Sequence, residues 1–195
     1  MKTKDTRTRI LEAALHLFSQ NGYLGATTRE IAGRAGVAEI TLFRHFPTKE
    51  KLFGEVVARY SFLPALREML PELRKMEYRD ALSVLAGKFL GRLSERRDLI
   101  RIMQSEMAGY PSAVRKIYHG LIGEMFTTLA SYFAELQKQG KLRAFQPELA
   151  AKAFLGMFFS HFHARELLHT RGKKYEDERT VIQEFVGLFV EGTER

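Results

Sequence analysis

Between Thr27 and Phe46 the chain reads TTREIAGRAGVAEITLFRHF, and few folds can accommodate that run. Thr27 followed three residues later by Glu30 forms a capping box, which predicts a helix from Thr28 to Ala35. Ile31, Ala32 and Ala35 give this helix a small apolar side suited to close packing. Gly36 then supplies a tight turn, since glycine takes positive φ without a side-chain penalty. A second short helix is predicted from Glu39 to His45. Val37, Leu42 and Phe46 can face inward there, while Glu39, Ile40, Thr41, Phe43, Arg44 and His45 are left outside. Two short helices joined by a glycine corner describe a helix-turn-helix, whose second helix suits a DNA major groove. An ordinary corner between two core helices would carry the same A-x-x-x-G-V, so the flanks have to decide.

Upstream lies an amphipathic helix, predicted over Arg7 to Gln20 (Ile10, Leu11, Ala14, Leu17, Phe18) and closed by Asn21-Gly22. Downstream, Pro47-Thr48 forms a turn and Thr48 caps a helix from Lys49 to about Phe62. The whole segment RILEAALHLFSQNGYLGATTREIAGRAGVAEITLFRHFPTKEKLF resembles the N-terminal domain of TetR-type transcriptional regulators, with the family's spacings intact from about Thr8 to Val57. Beyond Arg59 the resemblance is only to the family's all-helical plan.

The resemblance implies a regulator that binds double-stranded operator DNA. It places Thr28, Arg29 and Lys49 at phosphates, and Ile40, Thr41, Phe43, Arg44 and His45 toward the groove or the backbone. Arg44 can fork onto guanine or grip a phosphate. Three positions depart from the family. Phe43 stands where a tyrosine is usual, so no phenolic hydroxyl reaches a phosphate. Ala38 replaces the usual Ser or Thr cap, at a cost of ~1 kcal/mol. Glu39 suits the helix dipole yet lies close to phosphates; it can accept from a cytosine amino group or weaken binding.

The rest of the chain carries helical periodicity and no useful strand pattern, internal repeat or low-complexity tract. Pro64 and Pro71, seven apart, predict a broken connector. Helices follow over Arg79 to Ser94, Glu95 to Met107, Ser112 to Gln139, Pro147 to Thr170 and Tyr175 to Glu191, with Leu142 to Pro147 as a loop. The expected class is all-α: an N-terminal three-helix helix-turn-helix DNA-binding domain over 1–48, and a helical-bundle ligand-binding and dimerisation domain over 49–195.

The last two helices are apolar over a wide arc and need cover on two sides. A homodimer with two-fold symmetry would supply it through Phe154, Phe159, Phe162, Ile182, Phe185 and Phe189. A helix buried within a monomer is the alternative. The resembled family dimerises through these helices and holds an inducer in a pocket between long ones. By periodicity Phe89, Met103, Met107, Tyr118, Ile122, Phe126 and Phe158 are the candidate lining, although each would serve equally as core. Their Met and aromatic content suggests a small hydrophobic effector. Gln104 and Glu106 are either polar handles or plain surface.

A net charge of +8 and a pI near 9.8 permit a polyanionic partner. The excess is densest at the start, where residues 1–52 carry nine Lys/Arg against five Asp/Glu. The absence of cysteine excludes disulfides and thiolate metal sites. Neither a secretory leader nor a membrane-spanning run is visible, so a cytoplasmic protein with no membrane partner is expected. His163, Glu166 and His169 carry a Glu-x-x-His, but no second copy completes a helical metal site. No metal, cofactor or catalytic residue is expected. A repressor released from DNA by a lipophilic effector is the leading reading. A DNA-bound scaffold recruiting a protein is the alternative, and a helical metal-binding enzyme the remote one.

Overall fold

The computed structural model describes residues 5–167 and 176–195. Ten α-helices lie within them: α1 Thr6–Gly25, α2 Thr28–Ala35, α3 Glu39–His45, α4 Lys49–Tyr60, α5 Leu63–Leu73, α6 Tyr78–Glu95, α7 Arg97–Glu106, α8 Ser112–Lys138, α9 Pro147–Phe162 and α10 Glu178–Thr193. A 3-10 turn, Met107–Gly109, follows α7, and a π-helical segment, His163–Leu167, follows α9. None of the described helices is long and apolar enough to cross a membrane.

The chain divides into two compact units, and the division differs from the boundary expected at residue 48. The first unit takes the residues up to Ser61 together with Arg96–Leu121; the second takes Phe62–Glu95 and the described residues from Ile122 onward. In the first unit α1 lies against α2, α4 and α7. Ile10, Leu11, Ala14 and Phe18 of α1 are buried with Ile31 and Ala32 of α2, Leu42 of α3 and Leu52, Phe53 and Val56 of α4. Leu99, Met103, Tyr110 and Val114 close the same core from the later segment. Helix α4 belongs here because its buried stripe, Leu52, Phe53, Val56 and Val57, lies in this core.

In the second unit Phe133 of α8 is fully buried among aromatic rings. It lies 5.6 Å from Phe189, 6.4 Å from Phe145 and 6.5 Å from Phe154. Helix α6 packs on α5, α9 and α10, and the Tyr78 and Thr193 hydroxyls meet at 3.0 Å. The expected 142–147 loop carries a bridge of its own, Leu142 pairing with Glu194. Arg143 then donates to the carbonyls of Glu191 at 2.8 Å and Glu194 at 3.1 Å, satisfying acceptors that the end of α10 leaves open.

Several boundaries depart from the sequence-based expectation. Helix α1 continues past Gln20 because helical bonding resumes after a bend at Gly22, Ala26 N–H donating to the Gly22 carbonyl. The broken connector is one helix, α5: Pro64 occupies its first turn, while Pro71 lies in its final turn with an exposed ring. The predicted Pro147 helix is α-helical only to Phe162, and Thr170 lies outside the described residues. The last helix begins at Glu178, capped by Asp177, whose carboxylate accepts from Thr180 N–H at 3.0 Å; Tyr175 also lies outside the described residues.

Two expected residue sets are divided by the fold. Of the six aromatic and aliphatic residues expected at a dimer contact, Phe154, Phe162 and Phe189 are buried within their own unit. Phe159, Ile182 and Phe185 remain partly exposed. The seven candidate pocket residues come together in neither unit: Met103, Met107 and Tyr118 pack on the first core, whereas Phe89, Ile122, Phe126 and Phe158 belong to the second. Helical periodicity finds the buried side of each helix but does not say which core it enters.

Candidate nucleic-acid interface

The turn around Gly36 sets the site. Thr27 Oγ1 accepts from Glu30 N–H at 3.2 Å while Glu30 Oε2 accepts from Thr27 N–H at 3.0 Å, so both halves of the predicted capping box form. These bonds, the hydroxyl of Thr27 foremost, hold the Glu30 carboxyl below its ordinary range. At the other end Gly36 adopts φ 66°, ψ 41°, and its N–H bonds back to the Gly33 carbonyl at 3.1 Å. This left-handed stop turns the chain into α3.

Helix α3 is anchored by two residues, Leu42 (fully buried) and Phe46 just beyond its end. Four of the other six residues of α3 are exposed, and two are half-buried. Ile40 is 80 % exposed and Phe43 40 %; Arg44 and His45 are exposed, Glu39 and Thr41 half-buried. Ala38 holds the extended backbone of an N-cap, φ −68° and ψ 148°, but offers no side-chain bond.

The expected phosphate-facing residues are placed unequally. Arg29 is exposed on α2. The Thr28 hydroxyl instead donates to Glu39 Oε1 at 2.7 Å, tying the starts of α2 and α3 together. Its only proton is therefore engaged by Glu39. Lys49 opens α4, where Thr48 Oγ1 accepts from Lys51 N–H at 3.2 Å. Its Nζ sits 4.6 Å from the centre of the Tyr23 ring, a cation–π contact, and burial pulls the ammonium below its ordinary range.

Sequence reasoning missed the network behind Lys49. The Tyr23 hydroxyl donates to Glu50 Oε1 at 2.9 Å, and Tyr23 N–H donates to the Tyr110 hydroxyl at 3.3 Å. Tyr110 in turn donates to Glu106 Oε2 at 3.1 Å, and its carbonyl accepts from Arg115. Burial, reinforced by these carboxylates, raises both phenols, Tyr110 to about 12. Gly22 makes room for the Glu106 carboxylate. Glu106 is half-buried and held by Tyr110, while Gln104 is exposed. No local signal marks this network, because its bonded partners lie up to 87 positions apart. Of the Glu-x-x-His residues, Glu166 accepts from Arg165 at 2.8 Å, and His169 lies outside the described residues.

A glycine corner that presents a seven-residue helix with free basic and apolar side chains defines a helix-turn-helix protein. Residues 10–56 match the family described as bacterial regulatory proteins, tetR family, and residues 80–192 match the C-terminal domain of AefR-like transcriptional repressors. The chain is 28 % identical over 189 residues to the uncharacterized HTH-type transcriptional regulator YvkB of Bacillus subtilis, covering 97 % of each. Over a shorter stretch, 29 % of this chain and 26 % of the relative, it is 46 % identical to the HTH-type transcriptional repressor KstR of Rhodococcus jostii. Among solved structures, the transcriptional regulator FadR of Bacillus subtilis, in complex with stearoyl-CoA, shares the fold at a TM-score of 0.77 and 18 % identity, with 95 % of this chain and 98 % of that one covered. The chain belongs to the TetR family of bacterial transcriptional regulators. It is a DNA-binding regulator and not an enzyme.

Proposed function

We propose that the protein is a homodimeric repressor that occupies a palindromic operator and leaves it when a small lipophilic molecule binds the second unit. The observation that carries this reading is the outward face of α3, where Ile40, Phe43, Arg44 and His45 are exposed while Leu42 anchors the helix. In a two-fold dimer the two α3 helices would meet half-sites about 34–36 Å apart. Arg29, Arg44, His45 and Lys49 would supply phosphate or base contacts, with Thr41 beside them. Glu39, held by Thr28, would temper affinity. The dimer contact would use Phe159, Ile182 and Phe185, with Leu188, 64 % exposed on α10, as a further apolar group in need of cover.

For the effector, the second unit offers Phe89, Ile122, Phe126 and Phe158. FadR, with the same fold, is a protein whose structure holds stearoyl-CoA; an acyl thioester is therefore the first ligand class to try here. An effector must favour the DNA-incompetent state, or it shifts nothing. Purified protein with a duplex enriched from random sequence provides the test. Acyl-CoA esters of graded chain length should raise the melting temperature and release the duplex. Stabilisation without release would refute the induction step. Leu188→Lys should yield monomers by light scattering and weaken operator binding; an unaltered dimer would refute the placement of the contact.

A further inference from the structure

Helix α3 carries an unusual pairing for a surface meant to meet a polyanion. Ile40 and Phe43 stand three residues apart, so they share a face and form a continuous apolar ridge. Ile40 is the most exposed of the large apolar side chains described, with 80 % of its surface open. Nothing in its own unit covers it, while Leu42 and Phe46 already anchor the helix. A single exposed isoleucine needs no explanation elsewhere on a protein. Here it stands at the second position of the reading helix, and residues near that end reach base edges.

The neighbouring polar groups narrow what this end can read. Glu39 is engaged by the Thr28 hydroxyl at 2.7 Å. Neither Ile40 nor Phe43 has a hydrogen-bonding group. Among the base pairs, the apolar feature on the major-groove edge is the thymine 5-methyl group. Arg44, next to Phe43 and exposed, is left as the donor for a neighbouring guanine or phosphate.

We propose that Ile40 and Phe43 determine operator specificity by packing on thymine methyl groups, so that each half-site carries one or two thymines beneath this ridge. The proposal rests on the operator-binding reading above and names what that surface selects. The full-length protein is first used to enrich duplexes from a random pool. Each thymine of the enriched duplex is then replaced by deoxyuridine, which removes the methyl group and leaves pairing intact. Loss of one buried methyl should weaken binding about three- to fivefold at one or two adjacent half-site positions and nowhere else. Ile40→Ala should bind thymine and uracil duplexes equally at its position, and Phe43→Ala at the other. Because Ile40 is 80 % exposed, Ile40→Ala should not lose thermal stability.

An enriched half-site without thymine, or uracil substitution with no effect at any position, would overturn the inference while leaving operator binding intact. Persistence of the uracil penalty in both alanine variants would overturn it too. Failure to enrich any duplex would overturn the operator-binding reading together with this one.

Discussion

Gly22 and Gly36 both have positive φ, yet they constrain the chain differently. Gly36 lies in the left-handed helical region, with Arg9 Nη1 the nearest group, 3.9 Å from where a Cβ would stand. Gly22, at φ 69° and ψ −179°, occupies a region essentially restricted to glycine, and a Cβ there would lie 2.6 Å from the carboxyl carbon of Glu106. Gly36→Ala should therefore cost roughly 1–2 kcal/mol. Gly22→Ala should cost about 1–3 kcal/mol in backbone strain alone, with the Glu106–Tyr110 bond disturbed in addition. Urea denaturation should rank Gly22→Ala as the more damaging, and the opposite order would contradict this account. Glu39 allows a second test at the same scale. Glu39→Gln keeps an acceptor for Thr28 while removing a like charge near the proposed phosphate contacts. Operator binding should tighten, by no more than about 1 kcal/mol if the charges lie ~4 Å apart in water, as read by fluorescence anisotropy at fixed salt.

Helix α3, with seven residues, is too short to persist alone and depends on its ends and on Leu42. Ala38 already has the dihedral angles of a cap and lacks only the oxygen. Ala38→Ser should raise unfolding stability by about 1 kcal/mol, measured by chemical denaturation; no gain would mean that the serine hydroxyl finds another partner. The bounds of α2 and α3 were legible in the sequence because their signals are local: a capping box at one end, a glycine stop, an apolar spacing of four. The Thr28–Glu39 bond was not, since no pattern links side chains eleven positions apart on different helices. Helix α5 was misread because Pro71 does not open a new helix: it stands inside α5, which runs on to Leu73, where a proline ordinarily breaks or kinks the helix. Among the candidate site residues, the exposed face of α3 followed directly from the pattern. The pocket and dimer sets did not, because periodicity alone cannot distinguish residues that pack inward from residues that await a ligand or a second copy.

At the scale of the whole molecule, the first unit is assembled from two stretches separated by Phe62–Glu95. Its aromatic core joins Phe18, Tyr23 and Phe53 to Tyr110, with ring centres 5.2–6.3 Å apart. A fragment ending at Ser61 would leave Phe18, Phe53 and Val56 without Leu99, Met103 and Tyr110. It should show a broad thermal transition and bind dyes that report exposed apolar surface; a sharp, full-stability transition would contradict the arrangement. Tyr110 and Glu106 thus act as a buckle fastened from far along the polypeptide. Grafting such a reader onto another regulator would require moving both lengths of chain, so hybrids joined only after the fourth helix should prove poor binders whatever sequence their third helix carries.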